Sequence, residues 1–294
     1  MIAAEPGLDR LKRERPEWGP WLTVVGQALR DHGRGRWHEM VPHLSGPQGE
    51  SLPLLAGASL AVETRAVRRL LARLLDTAST SGTETMASLA AARHTDADAL
   101  ALFAASLNQD GDTIAGLATR DGVDAEALQA VVALLAVPLL RAVSDGAEAL
   151  RHGSTPWVEG YCRVCGSWPA FAEVRGIERS RYLRCGRCGS GWPSHALTCP
   201  YCRSTHHEDF VALVPEARGA AGAVDACGRC HGYVKAFTRL QECAAGDVLL
   251  EDLASVDLDV AAIARGFSRP SGAACPLGIT VEAKKPRGFF GWSA

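Results

Sequence analysis

The first half of this chain carries a helical period of apolar positions. Residues 57–75 place Leu60, Val67, Leu70, Leu71 and Leu74 on one side and Glu63, Arg65, Arg68, Arg69 and Arg73 elsewhere, as an amphipathic helix requires. The same pattern predicts helices over 97–107, from about Asp112, and from an N-cap at Asp124 towards Val143, with Pro138 kinking the last helix or ending its first half. Trp18, Trp21 and Trp37, with His38 and His43, form an aromatic cluster near the start, whose ordinary role is core packing. Further on the pattern shortens to strand-like runs. Residues 168–174 and 177–183 predict a hairpin turning at Arg175 and Gly176, and residues 210–214 and 233–237 play the same part in a second hairpin. Residues 247–266 then predict a helix with Leu249, Leu253, Val256, Val260 and Ile263 inward and Glu251, Asp252, Asp257 and Asp259 outward. Ordinary packing accounts for that helix; an acidic face that docks a partner is the functional alternative.

Composition sharpens the division. Up to residue 155 there is no cysteine and no tyrosine; all ten cysteines and all four tyrosines come later. Ser154, Thr155 and Pro156 have the character of a connector, because proline cannot continue a helix and biases its predecessor towards extended backbone. At 294 residues with 47% hydrophobic content, the chain can fill more than one core. The net charge of -2 demands neither a polyanion nor a polycation as partner. The longest apolar run, 127–140, contains Gln129 and reaches Pro138, short of the roughly 18 residues of a membrane span, so no span is expected. The N-terminus shows a charged run from Asp9 to Glu14 and no apolar signal segment, which predicts a cytoplasmic protein.

Four Cys-x-x-Cys pairs carry the candidate chemistry: Cys162 with Cys165, Cys185 with Cys188, Cys199 with Cys202, and Cys227 with Cys230. Two sulfurs two residues apart wrap one ion through a tight turn, and two such turns complete a tetrahedral four-sulfur site, so four pairs predict two metals. A disulfide framework needs an oxidising compartment, and a redox dithiol predicts a single pair opening a helix; neither fits. The intervening lengths are 19 residues from Cys165 to Cys185, 10 from Cys188 to Cys199 and 24 from Cys202 to Cys227. The short gap is the junction between modules, which pairs the knuckles sequentially; a cross-braced arrangement, first with third and second with fourth, stays open on spacing alone. Gly166 and Gly189, after two of the second cysteines, suit the positive φ of a knuckle whose amides point at sulfur. His195, His206, His207 and His231 are within reach as replacement ligands, but complete cysteine sets leave them no vacancy. Cys243 and Cys275 stand outside the pairs as incidental thiols, with Cys275 reactive if exposed. Four thiolates suit zinc and also a single iron. Tyr161, Trp168, Trp192, Tyr201 and Tyr233 crowd the knuckles, as a water-excluding shell around iron or the small core of a zinc ribbon. Closed four-sulfur zinc sites are the commoner case, so the residues by themselves favour structural zinc.

The run from Trp157 to Pro169 (WVEGYCRVCGSWP), the segment Arg181 to Cys188 (RYLRCGRC), the knuckle Cys227 to Lys235 (CGRCHGYVK) and the stretch Glu251 to Asp259 (EDLASVDLD) together resemble the formate dehydrogenase accessory proteins of the FdhE family. The resemblance spans about Trp157 to Phe267. It departs from the family at Arg163, where proline is frequent, and after Arg269, where Cys275 and a basic, aromatic tail through Trp292 match no family pattern. It implies an α+β protein: a helical domain over 1–155, rubredoxin-like four-cysteine modules over 156–196 and 197–245, and a C-terminal helix and tail over 246–294. It implies iron in the two sites, held by Cys162, Cys165, Cys185, Cys188, Cys199, Cys202, Cys227 and Cys230. It also implies a cytoplasmic assembly factor that binds the catalytic subunit of respiratory formate dehydrogenase. A free electron carrier and a zinc-ribbon module for nucleic acid or protein are the alternatives. Residues 157–243 hold eleven Lys and Arg against eight Asp and Glu, weak support for a nucleic-acid surface. No Walker loop, nucleophile elbow, His-Glu-x-x-His helix or dinucleotide fingerprint is present, and a closed four-sulfur site lacks the open position that hydrolysis requires, so no enzyme is expected.

Overall fold

In a computed structural model, residues 4–42, 51–80, 83–148, 157–215 and 222–284 are described. The helical half comprises α1 (Ala4–Glu14), α2 (Gly19–His32), α3 (Thr64–Ser79), α4 (Glu84–Ala87), α5 (Asp96–Asn108), α6 (Gly111–Asp121), α7 (Ala125–Ala133) and α8 (Val137–Glu148), with the strand β1 (Ser59–Val62) ahead of α3. Local signals explain several ends. Thr95 and Asp98 form a reciprocal capping box on α5, and Asp124 caps α7 by accepting from the Ala127 amide at 2.8 Å. Pro138 lies in the first turn of α8, where its missing N–H costs nothing, so the predicted kink is a break between two helices. Trp37 is fully buried, stacks on Phe103 at 6.0 Å and donates its indole N–H to the buried Asp31 carboxylate, while Trp18 and Trp21 pack at the core margin; His43 lies outside the described residues, as does the connector 154–156.

The expected helix from Gly57 is corrected. Residues 59–62 form β1 in parallel register with β8 (Thr280–Ala283), Ser59 opposite Thr280, and the helix begins at Thr64. Gly57 adopts φ +69 and donates its N–H to the Leu277 carbonyl at 2.7 Å, a contact that local periodicity cannot reveal. The expectation of no membrane-length stretch is also revised. Residues 125–147 are long and apolar enough by composition, with mean hydropathy 1.9, but 83% of that window is buried inside the protein, as in a core helix.

The second half is built on one six-stranded sheet, in the order β4 (Gly191–Pro193), β3 (Ser180–Arg184), β2 (Phe171–Arg175), β7 (Tyr233–Arg239), β6 (Gly222–Cys227) and β5 (Phe210–Leu213). The hairpin β2–β3 occurs where the pattern placed it, with its turn at 176–179. The second predicted hairpin is corrected: β5 and β7 do not pair, because β6 lies antiparallel between them. Its sequence, GAVDAC, has too little β-branched or aromatic content to announce a strand. The modules join through β2 and β7, which run parallel with Phe171 opposite Lys235 and Glu173 opposite Phe237.

The predicted C-terminal helix is two helices, α9 (Val248–Ala254) and α10 (Val256–Ile263), broken at Ser255. The break shifts the helical phase, so the expected apolar face survives only in α9, where Leu249 and Leu253 pack against the core; in α10 Val260 and Ile263 are each 61% exposed. The acidic residues are corrected with it. One face of the sheet carries the buried cation Lys235, and α9 and α10 turn carboxylates onto it. Lys235 Nζ lies 2.7 Å from Asp252 Oδ1, 2.8 Å from Asp259 Oδ2 and 2.6 Å from the Asp252 carbonyl, and Arg269 pairs with both carboxylates at 2.9 and 2.8 Å. Asp257 does stay outward, pairing with Arg15 of the helical half.

Burial raises the Asp252 carboxyl, but Arg269 and Lys235 more than offset this and hold it below the usual carboxylate range. A carboxyl depressed in the folded state contributes stability that is full above its unfolded value of about 3.9 and lost as pH falls through the folded value. Asp252→Asn should therefore cost about 3 kcal/mol at neutral pH, near the low end for breaking a buried pair because Asp259 remains. Denaturant melts from pH 7 down to about 3 check this: the gap between variant and parent should narrow on acidification, and a gap independent of pH would contradict the assignment.

Candidate metal centres

All four knuckles share one backbone design. The N–H of the residue after the second cysteine donates to the first cysteine's carbonyl: Gly166 to Cys162, Gly189 to Cys185 and His231 to Cys227 at 2.9 Å, and Arg203 to Cys199 at 3.0 Å. Each first cysteine donates in turn to the carbonyl five residues on: Cys162 to Ser167, Cys185 to Ser190 and Cys199 to Ser204 at 2.9 Å, and Cys227 to Gly232 at 2.8 Å. The closing residue takes a left-handed φ every time, +64 at Gly166, +78 at Gly189, +63 at Arg203 and +56 at His231. Glycine is needed in the first two for a further reason. A Cβ on Gly166 would stand 2.6 Å from the Cys275 carbonyl, and one on Gly189 2.5 Å from that of Ala245. Later backbone thus covers both knuckles of the first cage. Arg203 and His231 are exposed and accept the strained φ with a side chain.

These turns bring the eight paired cysteines into two cages with sequential pairing, Cys162, Cys165, Cys185 and Cys188 in one and Cys199, Cys202, Cys227 and Cys230 in the other, the four sulfurs of each within 4.8 Å of one another. Cys162 Sγ and Cys188 Sγ are 3.5 Å apart, as are those of Cys165 and Cys185; in the second cage Cys199 to Cys230 is 3.7 Å and Cys202 to Cys227 is 3.8 Å. A disulfide needs about 2.05 Å. Four sulfurs at about 2.3 Å from one tetrahedral ion stand about 3.8 Å apart, so both cages have the dimensions of a metal thiolate site. His195, His206, His207 and His231 are exposed and belong to neither cage. Cys243 is buried and its thiol is pushed up to about 11 by burial, and burial also raises Cys275, so neither is an activated thiolate.

The cages differ in their surroundings. In the first, the four cysteines are at most 1% exposed and belong to the same hydrophobic cluster as Leu70, Phe103 and Leu139 of the helical half. Leu54 and Leu55 donate to the carbonyls of Arg163 and Val164, fastening the helical half onto this knuckle. Burial drives the Cys162 and Cys188 thiols well up, whereas hydrogen bonds from the other three sulfurs hold Cys165 well down. Four thiolates in this buried pocket therefore need a bound metal. Two arginines lie close: Arg187 faces Cys165, and the buried Arg141 of α8, depressed by burial, is pulled back up by charge on Cys188, Asp145, Asp247 and Cys185. In the second cage Cys199 and Cys227 are buried, but Cys202 is half-buried and Cys230 exposed. The aromatic shell joins the two: Trp157, Tyr161, Trp168 and Tyr201 contact one another edge to face in sequence, at 5.6, 6.5 and 5.1 Å.

Three contributors escaped the sequence reading. Ser190 Oγ lies 3.1 Å from Cys162 Sγ and 3.0 Å from Cys188 Sγ, and Ser167 Oγ lies 3.4 Å from Cys165 Sγ. The recurrence of serine two residues after Cys165, Cys188 and Cys202 was the available signal. Arg141 was signalled by being a lone cation within the apolar run from Ala130 to Val143.

Comparison with known proteins agrees with this geometry. Residues 197–275, which contain the second cage, match the family described as the FdhE C-terminal domain. A protein FdhE homolog from Stutzerimonas stutzeri (strain A1501) is 32% identical over 111 residues, 37% of this chain and 35% of the relative. One from Pseudomonas aeruginosa is 32% identical over 150 residues, 48% of each chain. The matched region thus spans between about a third and a half of these relatives' length. The crystal structure of the FdhE protein from Pseudomonas aeruginosa has the same fold, with a TM-score of 0.57 at 23% identity over 92% of this chain and 94% of that one. The chain is thus similar to FdhE proteins in sequence over the domain that holds its second cage, and in fold across both halves.

Proposed function

We propose that this protein is a non-enzymatic accessory factor for formate dehydrogenase, acting in the cytoplasm by binding the catalytic subunit of the respiratory enzyme. The eight paired cysteines hold one metal ion per cage, the helical part ends near residue 155, and the two modules meet near residues 196–197. The observation that supports this best is the pair of complete four-sulfur cages in a chain similar to FdhE proteins: neither leaves a coordination position for substrate, so their contribution is shape or redox state. Iron would add a ferrous–ferric couple and zinc only rigidity; the donor set accepts both. Tagged protein recovered from its host under formate-respiring conditions should carry a formate dehydrogenase catalytic subunit, and the Cys199→Ser/Cys202→Ser double variant should lose it. Recovery of nucleic acid or unrelated redox enzymes in its place would reject the reading.

The exposed edge of the second cage favours one other reading, a rubredoxin-type electron carrier, for which the iron-loaded protein alone would exchange electrons reversibly with a soluble redox dye. The accessory reading requires no such exchange.

The difference in burial also sets the order of metal loss. With a chelator in excess and an indicator dye following release, metal should leave in two phases, the faster from the cage of Cys199, Cys202, Cys227 and Cys230. Ser190→Ala should speed only the slow phase, by roughly 10–100-fold, the usual cost of removing an outer-shell partner. A single phase of two equivalents would show that exposure does not govern release.

A further inference from the structure

The helical half carries a second type of metal-ligating cluster, with nitrogen and oxygen donors. His32 ends α2, His38 opens a short 3-10 turn (His38–Met40), and Asp145 lies on α8. His32 Nε2 is 3.2 Å and His38 Nε2 3.3 Å from the same atom, Asp145 Oδ2, and the three donors all lie within 4.8 Å of one another. The other ring nitrogen of His32, Nδ1, faces the Pro138 carbonyl at 3.2 Å. A carbonyl only accepts, so Nδ1 carries a proton and, in the neutral ring, Nε2 keeps its lone pair for the cluster. Outer-shell carbonyls orient metal-bound imidazoles in this way.

The spacing suits a metal site as well as an ion pair. A charge-assisted N–H···O bond closes to about 2.7–2.9 Å. Two ligands at about 2.0–2.1 Å from one tetrahedral zinc stand about 3.3 Å apart. The observed 3.2 and 3.3 Å match the second figure. Arg141, one turn earlier on α8, sends its guanidinium to the Gly246 carbonyl at 3.1 Å and does not occupy the cluster. Access is open, because the His38 and Asp145 side chains are 48% and 50% exposed.

We propose that His32, His38 and Asp145 form a third metal site, which takes a divalent transition ion of zinc's type through two imidazoles and one carboxylate, with its remaining position open to water. Bound there, the ion fastens the end of α2 to α8, the helix that carries Arg141 towards the first cage. The site is independent of whether the cysteine cages hold iron or zinc.

The test uses the full chain with its cages occupied, washed with metal-free buffer and desalted, then titrated with Zn(II) against a chromophoric chelator and, in parallel, with Co(II). One equivalent should bind. Its cobalt form should show visible ligand-field bands without sulfur-to-cobalt charge transfer. His38→Ala and Asp145→Asn should each weaken it by at least the roughly 10–100-fold that loss of an outer-shell partner costs. Both positions are half exposed, so the variants should keep the parent's circular dichroism, and His32→Ala is a third variant if one of them fails to fold. No uptake after the wash, an equivalent that either variant retains within tenfold, or a thiolate cobalt spectrum would each overturn the proposal.

Discussion

The structure depends on placing a four-sulfur cage inside a hydrophobic core. Four thiolates and one divalent ion carry a formal charge of about minus two, and an unpaired charge buried away from water costs several kcal/mol. Cys162, Cys165, Cys185 and Cys188 meet that constraint with help from distant segments: Arg141 from α8, Arg187 from the cage's own second knuckle, and hydroxyls from Ser167 and Ser190. The segments around residues 245 and 275 close over the two knuckles, and that closure demands glycine at 166 and 189. The helical half and the first module therefore share one core and stabilise each other through the cage.

The second cage obeys the same local rules under weaker constraint. Its knuckles have the same hydrogen bonds and the same left-handed residue, yet Arg203 and His231 occupy that position because it is exposed and has room for a side chain. Each such residue costs roughly 1–2 kcal/mol of backbone strain that glycine would avoid. In return, Arg203 reaches the Val158 carbonyl at 3.0 Å and Glu159 at 2.7 Å, tying the third knuckle to the segment that leads into the first. Gly160 completes that junction: a Cβ there would lie 1.8 Å from the Pro200 carbonyl, so the two modules touch backbone to backbone.

What was legible in the sequence was local. The cysteine spacing gave the four knuckles because a knuckle is specified within about six residues, and Asp124 marked a helix start because a cap acts within one turn. What was not legible depends on partners far along the chain. Ser59 pairs with Thr280, and Leu60 is buried in a strand although its period fitted a helix. Asp252 and Asp259 looked solvated because charges usually are; they turn inward because the sheet face beneath them carries Lys235, a buried cation that strand alternation alone does not place inside. The His32, His38 and Asp145 cluster escaped for the same reason, its third member lying over a hundred residues away.

Those buried charges also fix how the two modules join. Parallel strands pair in any register that their faces permit, and a slip by one residue turns every side chain to the opposite face. With Phe171 opposite Lys235 and Glu173 opposite Phe237, the β2–β7 seam puts Glu173 beside Arg184 and Arg239, and Lys235 under Asp252 and Asp259. A slip of β7 would leave Lys235 buried without its carboxylates and Glu173 without Arg239, whereas an all-apolar seam would tolerate several registers at similar cost. Because β7 begins at Tyr233, three residues after Cys230, and β2 at Phe171, six after Cys165, fixing this register also fixes the strands that lead from one cage to the other. The ion pairs of the sheet thus set the relative placement of two metal sites that share no ligand.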